Sequence, residues 1–552
     1  MRRAGGAVRR MARLWLWAGI LFFLAQTAAL SLPDDERPRK ASSEQVELIH
    51  SDTLRHNQFL NPDAQILIGN VQLFHDGITM YCDSAYFFQT TNSLEAFGHV
   101  RMLQGDTLSL DGDYLYYDGN AQLAQVRRNV VMKHRQSTLY TDSLNYDRLY
   151  NIGYFFEGGR LVDGDNTLTS EWGEYDLNTK KSFFNYSVRL DNPKFVLTSD
   201  TLHYDMQTKW AEALGPSNIK DDENNIYTEH GFYNTDTEDV RLFDRSVVAN
   251  KAGRRMVGDS LRYNKDTGLM QAFGNVIYDD KANSNMLTGE YCQYNELTGQ
   301  AYATDSALLK DYSNVADTLF VHADTLRLYT YNMDTDSVYR VLHGYFHVRA
   351  YRSDVQAVCD SLVYNSGIKR MAMYRDPIVW NKNQQLLGEE IFVFTNDSTI
   401  DSVCVERQAL LVEHYDSIYY NQVNGRLMKA FFKDGEIYEN MADGNVHVIY
   451  FPLDDDSVMV GLNYTETTQL RMFMEQRQLK RIWTPAATGT FYDVSIIPQD
   501  ALRLENFAWF DYIRPRDKFD LFEWRPKAAG TELKAEIRRT APLQTLKKGP
   551  KK

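Results

Sequence analysis

Apolar and polar residues alternate along this chain, and no window holds a helical stripe for long. Within residues 259–289, Leu261 and Tyr263 alternate with Ser260, Arg262 and Asn264, the period-two pattern of a half-buried strand. Lys265-Asp266-Thr267-Gly268 follows and reads as a tight turn, with glycine where a positive φ is expected. A second strand is predicted over 269–273, a break at Gly274-Asn275, a third strand over 276–278, and a polar loop over 279–285. Three short strands per unit predict an all-β fold. Helical repeats lack the required 3.6-residue period, and the LxxLxL spacing of leucine-rich repeats is missing.

The same unit recurs. An acidic residue leads an aromatic signature at DSAYF (83), DYLYY (113), DSLNY (142), EWGEY (171), DTLHY (200), EHGFY (229), DSLRY (259), EYCQY (290), DTLRL (324), DSLVY (360) and EIFVF (390). Most intervals are 29 or 30 residues, and ten of the eleven fifth positions are aromatic in a chain that is 13% aromatic. Weaker copies stand at DTLRH (52) and DSIYY (416). Such periodicity implies supersecondary units that each bury an apolar face on the next, here an elongated antiparallel β stack. The period-two reading turns Leu144, Tyr146, Leu202, Tyr204, Leu261, Tyr263, Leu362 and Tyr364 inward and leaves the leading acid at the rim. A position filled once per rung is a structural corner before it is a reaction centre.

Five arginines, a 12-residue apolar run and small residues around Ala28 make residues 1–29 read as a secretory signal, too short to span a bilayer. A linker (30–45), the repeat array (46–420), C-terminal hairpins with an aromatic clasp (421–524) and a basic tail expected to be disordered (525–552) complete the organisation. Residues 427–440 and 470–482 read as hairpins that close the array, and residues 506–515 as a clasp docking on the last rungs. The net charge is −14, and about −26 once the basic ends are set aside. That argues against nucleic acid as a partner.

Candidate chemistry is sparse. Cys82, Cys292, Cys359 and Cys404 form no spacing that implies a disulfide framework. The acidic pairs Asp221/Asp222 and Asp279/Asp280 and the run at 454–456 read as solvated loops. His343 and His347 would share a strand face, without a third metal ligand in view. No catalytic motif stands out. The expectation is a non-enzyme with no cofactor and no metal.

The unit (A/G)D-x-L-x-Y-(D/N)…A-x-G-N-V, clearest in GDSLRYNKDTGLMQAFGNVIY at 258–278, resembles the OstA-like, or organic-solvent-tolerance, family. That family includes the lipopolysaccharide carrier LptA and the periplasmic domain of LptD, and the C-terminal hairpins look like the long single-chain forms of Bacteroidetes-type bacteria. The resemblance implies a folded-over β-jellyroll, or β-taco, whose interior holds acyl chains. It makes the eight inward residues groove candidates, and implies a periplasmic protein associated with the outer membrane. Lipopolysaccharide (its lipid A acyl chains) and other lipopolysaccharide-transport proteins, including the outer-membrane translocon, would be its partners. The acidic body is in tension with an anionic lipid, so tail burial or bridging divalent cations would have to dominate. The competing expectation is a closed β-solenoid spacer without ligand, which the many large aromatics favour.

Overall fold

The computed structural model describes residues 44–531 and Leu533, apart from residues 58–60, 314–316, 334, 397–398, 435, 455, 457 and 476–477. The expected signal, most of the linker and most of the basic tail lie outside the described residues. These residues hold 38 strands, paired antiparallel, and no helix long and apolar enough to cross a membrane. The chain divides into two units. One runs to Leu161 with Glu174–Thr179, and the other comprises Val162–Gly173 and everything from Lys180 onward.

One repeat is a pair of long strands, each bent in the middle, rather than three short ones. In Asn61–His75 paired with Ile78–Phe88 the register slips between Ile68 and Val71. The slip falls at Gly69 (φ 82°) and Asn70 (φ 44°), and two successive left-handed residues make a bulge that swings the strand. The bend recurs at Gly98-His99, Arg128-Asn129, Tyr186-Ser187 and Gly274-Asn275. Residues 269–273 and 276–278 are therefore two arms of one strand, Leu269–Asp280.

The repeated acid braces that bend. Asp52 accepts from Asn70 (2.9 Å), Asp113 from Asn129 (2.7 Å) and Asp259 from Asn275 (2.9 Å). His99 lies 2.8 Å from Asp83 and His347 2.7 Å from Asp324 in the same role. Hydrogen bonds from Asn275 and then Arg245 hold the Asp259 carboxyl below its usual range. Glycine is needed because a Cβ on Gly98 or Gly274 would sit 2.4 Å from the Asp83 or Asp259 carboxylate. The acid is a corner.

The brace corrects the register of one copy, and the strand ends reassign another. At 390 the brace is Glu389, which accepts from Arg407 (2.7 Å) and Gln408 (2.6 Å). Ile391 and Val393 therefore face inward, and Phe392 and Phe394 take the opposite face. The DSIYY copy at 416 is a hairpin turn between Ile400–Asp416 and Tyr419–Lys433. Asp280 is buried, not solvated, and caps a short 3-10 turn. His343 and His347 do not share a face, because a bulge between Tyr345 and Val348 ends the alternation.

In the N-terminal unit the core lies between the two arms. Leu67, Ile78, Met80, Met102, Leu110, Tyr117, Val126, Leu144 and Tyr146 are each at most 1% exposed. The far ends of the arms are tied together. Tyr117 Oη meets His75 Nδ1 at 2.7 Å, Tyr146 Oη donates to Gln104 Oε1 at 2.9 Å, and Tyr175 Oη meets His134 Nδ1 at 2.7 Å. With a bend on one side and a tie on the other, the interior is closed and filled.

Candidate functional site: an apolar trough in the C-terminal unit

The C-terminal unit begins closed and then opens. Tyr204 is buried, donates to Asp163 (3.1 Å) and accepts from Asn166 (2.9 Å), so its rung is tied like those before it. At Tyr263 the tie is gone: its hydroxyl donates to Glu296 on the next turn (2.6 Å), and the ring is half-buried. Tyr294, the next inward ring, is 38% exposed.

From there to about residue 450 the inward face of the two arms is apolar and incompletely covered, a candidate trough. Residues beside the bends form a buried floor, among them Val276, Cys292, Ala303, Val321, Leu326, Val348, Leu362, Ile391 and Val405. Farther from the bend the inward positions stay apolar but are only half-buried, such as Leu287, Leu309, Leu328, Leu342, Met371, Val379, Leu386, Val393 and Val403. Polar groups return at the rim, where Glu413 accepts from Gln384 (3.1 Å) and Asn421 (3.0 Å). Apolar walls under a polar rim suit an amphipathic ligand.

An open interior forfeits burial, and the C-terminal segment restores it on the other side of the sheet. Residues 496–525 carry only short 3-10 turns between extended stretches and run as a strap over the outward face of the arms that hold Val358, Trp380, Leu387 and Val412. Leu502, Leu504, Phe510 and Ile513 of the strap join Val358, Ile378, Trp380, Leu387, Leu410, Val412, Ile449 and Leu462 of the sheet in one apolar cluster. The segment expected as a clasp, 506–515, lies within this strap.

Three buried glutamines register it. Gln422 donates to the Leu502 carbonyl (2.9 Å) and accepts from the Leu504 amide (2.9 Å). Gln385 does the same with the Ala508 carbonyl (2.8 Å) and the Phe510 amide (2.7 Å). Each side-chain amide mimics a β partner and satisfies backbone groups that the apolar contact would otherwise orphan. Gln356 accepts from Arg514 Nε at 2.7 Å. Arg349, 1% exposed, bonds the Glu523 carbonyl and faces Asp520 at 3.5 Å.

The eight sequence candidates fall in different settings. Leu144 and Tyr146 are packed in the closed N-terminal unit, and Leu202 and Tyr204 in a closed rung of the C-terminal unit. Leu261 and Leu362 lie on the buried floor, whereas Tyr263 and Tyr364 are half-buried at its walls. The four cysteines are buried free thiols, and burial pushes Cys82 and Cys292 up to about 12. No cluster of three or more metal-ligating side chains exists among the described residues.

Sequence reasoning missed the strap glutamines and the tie residues. The signal for the ties was present: His75, Gln104, His134 and Asp163 recur at the repeat interval, 42, 42, 41 and 41 residues before their tyrosines.

Residues 43–200 match the family model described as OstA-like protein. The chain carries an OstA-like domain. A comparison with curated proteins returns no match. The OstA-like match covers the closed repeats, and the trough lies C-terminal to it in repeats built on the same braced bend.

Proposed function

We propose that the trough shelters the acyl chains of an amphipathic lipid, and that lipopolysaccharide is the lipid. On this reading the protein is a periplasmic carrier or bridge in outer-membrane assembly, with other lipopolysaccharide-transport proteins, including the translocon, as partners. The observation that carries the reading is the displaced core. Large apolar walls stand half-exposed inside the unit while a strap outside supplies the packing they give up. The OstA-like match supports the lipid class. The rim holds Glu413 and Asp311, so the headgroup stays in water and tail burial supplies the affinity.

The closed-spacer reading is favoured for the N-terminal unit by its filled, tied interior. There a charge at Leu144 tests folding rather than binding, and the same holds for Tyr204 in the closed rung. The test of lipid binding is native mass spectrometry of the protein purified from cells that make lipopolysaccharide. Wild type should retain lipid, and Leu386→Asp or Val393→Asp should lose it while staying folded, with at most a small fall in melting temperature. Wild type free of lipid would defeat the proposal.

A further inference from the structure

On the arms across the bends from the strap, such as 269–273 of Leu269–Asp280, the strands that wall the trough present their alternate side chains outward, and that face is aromatic and basic. Arg262 stacks on Phe273 (5.6 Å), Arg327 on Tyr302 (5.1 Å) and Arg370 on Phe392 (5.4 Å). Tyr291 packs between Phe273 (5.1 Å) and Tyr302 (6.0 Å). It accepts from Gln271 (2.8 Å) and donates to Gln293 (2.9 Å). Two depressions open on this face. One of about 290 Å³ is lined by Gln293, Gln300, Tyr302, Arg327 and Tyr329, with Ala301 and Leu328 beneath them. The other, about 280 Å³, is lined by Arg370, Phe392, Phe394, Ser402, Glu406 and Lys429.

Charge selects the occupant. In a chain of net charge −14 most basic side chains should find a carboxylate, yet Arg262, Arg327, Arg370 and Lys429 form no ion pair among the described residues. Three of them lie over rings instead, an arrangement that keeps a guanidinium available to an incoming anion. Strands stand ~4.8 Å apart, so neighbouring rings offer a row of flat apolar faces edged by amide and hydroxyl groups. An acyl chain needs no such polar edging. Single-stranded nucleic acid would also stack on such rings, but the amide and hydroxyl edge of Gln271, Tyr291, Gln293 and Gln300 matches a hydroxyl-rich ligand rather than a polyphosphate. A saccharide has flat C–H faces and a hydroxyl edge, and the unpaired cations require that it carry negative charge.

We infer that this face binds an anionic saccharide, with the Tyr302–Arg327 and Phe392–Arg370 pairs as its two principal contacts. The test is calorimetric titration of the full chain with an oligogalacturonate, a neutral oligogalactose and an oligothymidylate, at low and raised salt. The acidic oligosaccharide should bind, weaken with salt, and bind at least about tenfold more tightly than the neutral one. Arg327→Gln and Tyr302→Ala should each weaken it about tenfold with melting curves unchanged, and Arg370→Gln provides a second arm at the other depression. Absence of binding, equal binding of the neutral sugar, tighter binding of the oligothymidylate, or variants that bind like wild type would each overturn the inference.

Discussion

The N-terminal unit and the trough region are built from the same braced hairpin and solve the burial problem in opposite ways. In the first, arms bent at Gly98-His99 and its equivalents close on Leu110, Leu115 and Tyr146, and tyrosine ties seal the far side. In the second, the braces persist at Asp324–His347 and Glu389–Gln408, but the ties are lost and the core moves under the strap. A repeat array allows this because each rung depends on its neighbours and not on a global core. The bend sets the architecture, and the tie together with the strap decides whether the interior is packing or vacancy.

The largest expected effect separates the two interiors directly. Leu144→Asp buries an unpaired charge and should cost about 4 kcal/mol or more, whereas Leu386→Asp on the half-exposed wall should cost about 1 kcal/mol or less. Urea titration followed by circular dichroism measures both, and equal costs would erase the contrast. Next comes the outer core: Trp380→Ala should cost about 3–5 kcal/mol. Gln385→Leu should cost about 2 kcal/mol by orphaning the Ala508 carbonyl and Phe510 amide, with proteolysis inside residues 496–525 as the readout. A strap that stays protease-resistant in Gln385→Leu would mean that the glutamines do not register it.

Smaller effects follow pH. Burial, with Arg349 adding to it, lowers the His322 pKa, while Asp324 and the Ala307 carbonyl oppose. A lowered folded pKa means stability present above the unfolded value of ~6.5 and lost as pH falls through the folded value. His322 packs on Phe522 at 4.9 Å, so this end of the strap should lose amide-exchange protection, measured against the intrinsic rate at each pH, as the solution is acidified. In the closed unit the sign is reversed. Burial pushes Tyr117 up to about 12, so its contribution is complete below ~10 and is lost between there and about 12. Ultraviolet titration at the phenolate band, alongside circular dichroism, should show ionisation delayed until the tie breaks. Smallest is the brace: Asp259→Ala removes exposed, solvent-screened hydrogen bonds from Asn275 and Arg245 and should move the urea midpoint less than any of the changes above.

The antiparallel all-β unit was legible because a 29-residue period and a two-residue alternation are local properties of the chain, whereas the bend that joins two arms into one strand was read as a break. The brace at Asp259 was legible as a corner, but its partner Asn275 was read only as a strand break. Glu389 was misread by one residue because Glu390 beside it supplies the same charge, and only the bonds from Arg407 and Gln408 choose between them. The opening of the trough was not legible. Tyr204 and Tyr263 occupy the same motif position, and both have an aspartate 41 residues upstream, Asp163 and Asp222; only the first pair bonds, while the Tyr263 hydroxyl donates to Glu296 instead. The strap was legible as a docking segment, but its seat on the outside of the sheet depends on Gln356, Gln385 and Gln422, which resemble ordinary surface glutamines in sequence.

One measurement bears most directly on the displaced core. A photo-crosslinking amino acid placed at Leu144 in the closed interior, and separately at Leu342 and Val393 on the trough walls, can be irradiated in cells that make lipopolysaccharide and read by mass spectrometry. The account predicts acyl-chain adducts at Leu342 and Val393 and only protein–protein adducts at Leu144. Lipid adducts at Leu144, or only intraprotein adducts at all three positions, would contradict it.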